Sequence, residues 1–283
     1  MTDINKLTKR PKVFHALCGL TPDQFLKLLL EIKPLWQASE HRRKNWKGRQ
    51  RAIGGGRTPK LSLPQSLFML LLYYRTYTNQ SFVGLVAGID DSNVGRYINR
   101  LEPILSKKFK IPFQKIDLTE DEIWDMIVDA TEQETQKRKG SGYSGKKKKR
   151  TIKTQIYVNK EGVIKSVSVS VPGYIHDKKL YDQSHIFARN RRGSPVRVKV
   201  KGDLGYLGTE CDTPIKKQPG RPLMMHEEYY NRDHARKRIQ VEHTFAHLKK
   251  FHILADKFRN KINRYNLIFR NIAGIRNFII ASA

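Results

Sequence analysis

One ten-residue stretch, Ile123-Trp124-Asp125-Met126-Ile127-Val128-Asp129-Ala130-Thr131-Glu132, restricts the fold more than any other part of the chain. Ile123, Trp124, Met126, Ile127 and Val128 are apolar strand formers that fall on both faces, the pattern of a strand covered on two sides. A run this short could sit in a helix, but its content favours strand. The strand is expected to end on Asp129. A carboxylate there is costly to bury unless positive charge meets it. The expected counter-charge is a divalent metal, with Asp129 the first of three acids that hold it.

Net charge points to the partner. The 283 residues carry 55 Lys plus Arg against 26 Asp plus Glu, a formal charge of +29. An excess of that size drives counterion release from a polyphosphate. A ribosomal or membrane-surface protein is the alternative, yet ribosomal chains of this charge are usually shorter and less apolar. At 39% hydrophobic the chain can build a core, which excludes disorder throughout. Cys18 and Cys211 are far apart and lack metal-ligand spacing, so a reducing compartment is expected. The apolar run Leu67 to Tyr74 is too short to span a bilayer, and no secretory signal opens the chain. A soluble, intracellular protein with no membrane partner is expected.

Three regions follow from the order of signals. Residues 1–58 form an N-terminal helix and a basic linker. Thr21-Pro22-Asp23 starts the helix, which runs to about Ser39. His41 to Lys60 is rich in Lys and Arg around Gly54-Gly55-Gly56 and reads as a linker that tracks phosphates, lies in a minor groove or is simply solvated. Residues 59–110 form a small helical domain: Pro64 to Tyr77, then Gln80 to Ala87 capped by Asn79, a turn at Gly88, and a helix from Ser92 to about Lys107. Two helices joined by a short glycine-bearing turn make a helix-turn-helix, or part of a plain three-helix bundle. The last helix would turn Asn93, Arg96, Asn99 and Arg100 outward, toward bases and phosphates.

Residues 120–283 form the third region, bounded by Pro112 and the acidic run Asp117 to Glu122. After the Asp129 strand, Gln136 to Arg150 is a basic loop or hairpin tip. Ile152 to Val158 and Val163 to Val171 alternate around a turn and complete an antiparallel meander. His176-Asp177 opens a helix to about Phe187, with Asp177 as N-cap or in a catalytic or metal-supporting part. Val196 to Val200 is a strand running into Gly202-Asp203-Leu204-Gly205-Tyr206. A long helix runs from about Glu228 to Phe251, and a final one from Tyr265 to Ile280.

Asp129, Asp203 and Glu242 are the candidate catalytic and metal-binding acids. Two strand-end Asp and a helix-borne Glu can converge at one sheet edge, where hard cations take oxygen ligands. At about 100° per residue Arg238, Glu242 and Lys249 share one side of the helix, beside the docking stripe Val241, Phe245 and Leu248. Each acid alone has an ordinary reading as a turn residue or an ion-pair partner; only the combination has weight. Asp125 suits a structural ion pair. His243 and His247 are a weak zinc pair, because the Glu precedes the first His.

These motifs together resemble the ribonuclease-H-like catalytic domain of DDE transposases, notably the insertion-sequence-five group and the related Harbinger-type endonucleases. The resemblance rests on Val128-Asp129-Ala130-Thr131-Glu132, Tyr143-Ser144-Gly145-Lys146-Lys147-Lys148, Pro172-Gly173 with His176-Asp177, Gly202-Asp203-Leu204-Gly205-Tyr206, and Arg238-x3-Glu242-x6-Lys249. Residues 61–108 are similar to the family's N-terminal helix-turn-helix. One position departs: the family's Tyr three residues before the Arg is Ala235 here.

The resemblance implies an α/β fold, a ribonuclease-H-like mixed sheet flanked by helices with a small all-α helix-turn-helix domain before it. It implies a transposase that binds terminal inverted repeats, cuts DNA with two Mg²⁺ (Mn²⁺ as substitute) on Asp129, Asp203 and Glu242, and joins 3′-hydroxyl ends to target DNA. Arg238, Lys249, Lys146, Lys147 and Lys148 would meet phosphates. A homodimer or larger synaptic complex and a cytoplasmic, nucleoid-associated bacterial setting follow. A DNA-binding derivative without catalysis, or an endonuclease without strand joining, would share most of these features.

Overall fold

The computed structural model describes residues 4–50, 52–53, 58–112, 115–116, 118, 125–137, 142–183, 187–189, 195–196 and 198–282. Ile123 and Trp124, most of the acidic run, Gly54 to Arg57 and Arg138 to Gly140 lie outside the described residues. The chain forms two compact units. One comprises residues 1–110 with 250–255 and 281–283; the other comprises 111–249 with 256–280.

The first unit is helical: α1 (Ile4–Thr8), α2 (Pro11–Cys18), α3 (Pro22–Lys44), α4 (Leu63–Thr76), α5 (Gln80–Ala87) and α6 (Asp91–Phe109). Thr21 and Gln24 close a capping box at the start of α3. The helix runs past Ser39 to Lys44, so the basic segment opens on helix rather than linker. Glu40, Arg42, Arg43 and Lys44 are good helix formers, and Arg43 ion-pairs with Glu40 at 2.8 Å. α4 is buried along most of its circumference, from Ser66 to Tyr74, which makes it the central helix.

α5 and α6 form the expected helix-turn-helix. Asn79 Oδ1 accepts from Phe82 N at 2.7 Å, and Gly88 takes the left-handed conformation that ends α5. Gly84 is required by close approach: a Cβ there would lie 2.5 Å from the Ile89 carbonyl oxygen. The α6 N-cap is Asp90, not Ser92, because the turn closes two residues earlier. Ser92 N instead donates to Asp91 Oδ1.

The second unit is built on a mixed sheet. Its strands are β2 (Met126–Glu134), β3 (Gly142–Ser144), β4 (Lys149–Val158), β5 (Ile164–Val167), β6 (Val171–Pro172) and β9 (Val200–Lys201). A separate small sheet holds β1 (Lys115–Ile116), β7 (Phe187–Arg189) and β8 (Pro195–Val196). The main order is β3-β4-β2-β9, with β5 and β6 also on β4. β2 and β4 pair antiparallel over eight positions, from Ile127↔Val158 to Glu134↔Thr151. β9 runs parallel to β2 on its other side. This is the ribonuclease-H-like arrangement that the sequence implies. The helices are α7 (Asp177–Gln183), α8 (Met225–Lys249) and α9 (Tyr265–Ala281).

Four expectations about strands and helices change. The strand from Val163 to Val171 is two pieces, β5 and β6, because the chain leaves the β4 ladder at residues 168–170 and rejoins it at Val171. β2 does not end at Asp129; pairing with β4 continues it five residues further, to Glu134. The expected strand from Val196 to Val200 is two short pieces in different sheets, because β8 pairs with β7 and β9 with β2. α7 ends at Gln183, and Phe187 lies in a strand.

Strand parity divides the faces. Met126 and Val128 join Tyr157, Val200, Tyr206 and, from α7, Tyr181 in one apolar cluster. Ile127 and Asp129 point to the opposite face, where α8 packs on β2. Val241, Phe245 and Leu248 are the buried stripe of α8, as their spacing predicts.

Candidate active site

The sheet opens beside Asp129. β9 pairs with β2 at only two positions, Met126↔Val200 and Ile127↔Lys201. Two residues past the last pair, each strand presents an acid: Asp129 on β2 and Asp203 after β9. Asp203 has already left the strand as the cap of a tight turn, and it lies near enough to Asp129 to raise that carboxyl's pKa. In the preceding repeat Lys201 pairs with Asp125 at 3.2 Å. That is the structural ion pair expected of Asp125.

Asp203 is fixed locally. Its Oδ1 accepts from Gly205 N at 2.8 Å and caps a single tight helical turn, Leu204–Tyr206. The flanking glycines serve close approach. A Cβ on Gly202 would meet the Tyr206 ring at 2.7 Å, and one on Gly205 would lie 2.9 Å from Asp203 Oδ1 and 3.2 Å from Asp177 Oδ2. Tyr206 is fully buried below the turn, its hydroxyl donating to Gln155 Oε1 at 3.2 Å.

Asp177 is therefore a neighbour of Asp203. It is the first residue of α7 and ion-pairs with Lys153 at 2.8 Å, rather than serving as the cap before the helix. His176, one position earlier, supplies the carbonyl that accepts from Leu180 N.

Asp129 lacks sufficient positive charge. Its Oδ1 accepts from Ala130 N at 2.8 Å, and Arg238 Nη2 lies 3.8 Å from Oδ2. Burial pushes its pKa up from 3.8 to about 6. The Ala130 N–H and Arg238 oppose that rise, while Asp203 and Asp177 add to it. Carboxylates gathered with so little compensation suit a hard divalent cation, whose ligands are oxygens. The chemistry of these oxygen donors is of the kind a hard divalent cation takes.

α8 supplies the rest. Arg238 is largely buried against Asp129, and Glu242 follows one helical turn later, exposed to solvent. Lys249 is exposed at the end of the helix. Among the described residues no three acid, His or Cys side chains close on one point as a metal cage. Asp177 and Asp203 meet at Gly205, and both are near enough to Asp129 to raise its pKa, without the three converging on one point; Glu242 stands one turn after Arg238 on α8. Lys146, Lys147 and Lys148 occupy the exposed turn between β3 and β4. Tyr230 is held by Asp212, and Tyr229 is exposed.

In the helical unit, Arg96 and Asn99 are exposed on α6, and Asn93 is half-buried. Arg100 is occupied otherwise. Its guanidinium pairs with Glu40 and lies 5.0 Å from the Trp36 ring centroid and 5.4 Å from that of Tyr97. The outward placement expected for Arg100 is thus replaced by a cation–π sandwich, since a planar guanidinium stacks readily on aromatic faces.

Two segments match known families. Residues 128–277 match the DDE superfamily endonuclease family, and residues 59–111 match the helix-turn-helix of DDE superfamily endonucleases. The chain belongs to the DDE superfamily of endonucleases. Within it, the chain is 34% identical over 237 residues to a probable transposase for insertion sequence element IS702 of Microchaete diplosiphon, covering 80% of this chain and 84% of that one. It is 26% identical over 248 residues to a putative transposase for insertion sequence element IS112 of Streptomyces albus G, covering 87% of each. No solved structure matches this DDE-superfamily chain. Among the described residues no helix is long and apolar enough to cross a membrane.

Lys153, Glu132 and Asp177 were not singled out as firm site residues by sequence reasoning. A signal existed: Lys153 is a charge in the middle of a strand, β4, whose last eight residues are all buried.

Proposed function

We propose that the protein is an insertion-sequence transposase that binds the terminal inverted repeats of its element, cuts DNA there and joins the 3′-hydroxyl ends to target DNA. The observation that carries this reading is the register at the fork, where Ile127↔Lys201 is followed two residues later by Asp129 and Asp203. Both relatives named above are described as transposases.

Asp129, Asp203 and Glu242 would hold two Mg²⁺. When bound, the ions would activate the attacking oxygen and stabilise the leaving one in an in-line phosphoryl displacement. Arg238 keeps Asp129 nearer its ionised form and, with Lys249, would steady flanking phosphates. Lys146, Lys147 and Lys148 sit on an exposed tip suited to backbone contact. Asn93, Arg96 and Asn99 on α6 would read or anchor the repeat, with Arg100 bracing the helix instead. Bringing two ends together calls for a homodimer or larger synaptic complex, acting at the bacterial nucleoid in the cytoplasm.

The test is incubation with the DNA flanking the chain's own gene, with and without Mg²⁺, mapping cut ends. Asp129→Ala should keep repeat binding and lose cleavage. Cleavage at the wild-type rate in that variant would refute the catalytic reading and leave a DNA-binding protein. A pre-cut end supplied with target DNA should yield joined product; cutting without joining would indicate an endonuclease only.

A further inference from the structure

Lys153 sits at the centre of β4 with its side chain only 7% exposed. A buried ammonium is tolerated when all three donors and its charge are matched. Three oxygens surround this one, the Ile175 carbonyl as a hydrogen-bond acceptor and two carboxylates as ion-pair partners. The Ile175 carbonyl oxygen lies 2.7 Å away, Asp177 Oδ1 2.8 Å and Glu132 Oε1 3.3 Å. Glu132 is the residue directly opposite Lys153 in the β2–β4 ladder, and its Oε2 accepts from Thr151 Oγ1 at 2.9 Å. The lysine therefore ties three pieces of chain: the strand of Asp129, its own strand, and the segment leading into α7.

That last segment lies flat on β4. Gly173 N donates to the Thr151 carbonyl oxygen at 3.0 Å, and a Cβ on Gly173 would fall 1.7 Å from Thr151 Oγ1. Past Gly173 the segment reaches Lys153 through Ile175 and Asp177. The far oxygen of Asp177 then faces Gly205, beside Asp203. A continuous path of contacts thus runs from the central sheet through Lys153 and Asp177 to the turn of the second acid.

We propose that Lys153 is a positioning residue: by clamping Asp177 against the Asp203 turn it fixes the spacing of Asp203 from Asp129. The inference rests on the reading of Asp129 and Asp203 as metal ligands. It concerns a group on the Val128 face of the sheet, across from α8. Outer groups that orient ligands typically change metal affinity 10–100-fold when removed.

The experiment is Mn²⁺ binding to the full-length protein, followed by electron paramagnetic resonance, for wild type, Asp129→Asn, Lys153→Met, Asp177→Asn and the Lys153→Met/Asp177→Asn double variant. Circular dichroism checks folding. Lys153→Met should weaken Mn²⁺ binding about tenfold or more. Asp177→Asn should do the same, and the double variant should be no worse than either single. Wild-type affinity in Lys153→Met overturns the inference, as does a double variant whose loss is the product of the two. Should Lys153→Met fail to fold, Lys153→Arg takes its place, and wild-type affinity in both Lys153→Arg and Asp177→Asn overturns the inference. Wild-type binding in Asp129→Asn instead overturns the metal reading beneath it, which separates the two failures.

Discussion

Replacing Asp129 by Asn should stabilise the metal-free protein while removing its cleavage activity. The carboxyl is 22% exposed, and its pKa rises from 3.8 to about 6 on folding, chiefly through burial. Holding it ionised at neutral pH therefore costs the folded state at most about 3 kcal/mol. The sign follows from linkage. An acid whose folded value lies above its unfolded one destabilises the fold only when ionised. The penalty is absent below pH 3.8, grows between there and about pH 6, and is complete above. An Asn has the same shape and no charge to desolvate. Urea unfolding in EDTA should show the Asp129→Asn variant more stable than wild type by up to about 3 kcal/mol at about pH 7.5. The difference should close below about pH 4. Added Mg²⁺ should stabilise wild type and not the variant. Equal stability of the two proteins at that neutral pH, or a gap that does not change with pH, would refute the electrostatic account of the fork.

Arg238→Gln removes a charge that lowers the Asp129 pKa, so Asp129 should protonate at still higher pH than about 6, read from its side-chain carbon shift by NMR. An unchanged midpoint would show that the 3.8 Å pair has no influence. Glu242→Gln, at an exposed position, should abolish cleavage with a melting temperature close to wild type. Gly173→Ala should cost about 1–3 kcal/mol in chemical denaturation, because its methyl has nowhere to go beside Thr151. On α6, Arg96→Ala should weaken repeat binding and reduce the salt slope by about 1 in fluorescence anisotropy. Arg100→Ala should act instead on stability, by about 1–2 kcal/mol, through the loss of Glu40 and Trp36 contacts.

Much of this structure is legible before any coordinates because local chemistry and global fold agree. Thr21, Asn79 and Gly88 mark helix ends that the structure keeps, since caps depend on neighbours in sequence. The α8 stripe follows from helical period alone. Long-range pairing is less visible. Nothing local to Asp129 says that β4 carries β2 on to Glu134 while β9 stops at Lys201, yet that difference is what makes the fork. Arg100 looks outward by spacing, and only the approach of α3 with Trp36 and Glu40 claims it. Asp177 reads as a cap because helix starts favour Asp, and its tie to Lys153 comes from a strand more than twenty residues earlier.

The two halves of the fork are secured very unequally. Asp129 stands on a nine-residue strand with eight antiparallel partners, whereas the strand before Asp203 has two residues, two parallel partners on β2 and one bridge to Asp212. Local opening is easiest where few contacts resist it. Warming or mild denaturant should then silence the enzyme while most of its backbone amides are still protected from exchange, so that loss of chemistry and loss of architecture become two separate events along the same axis.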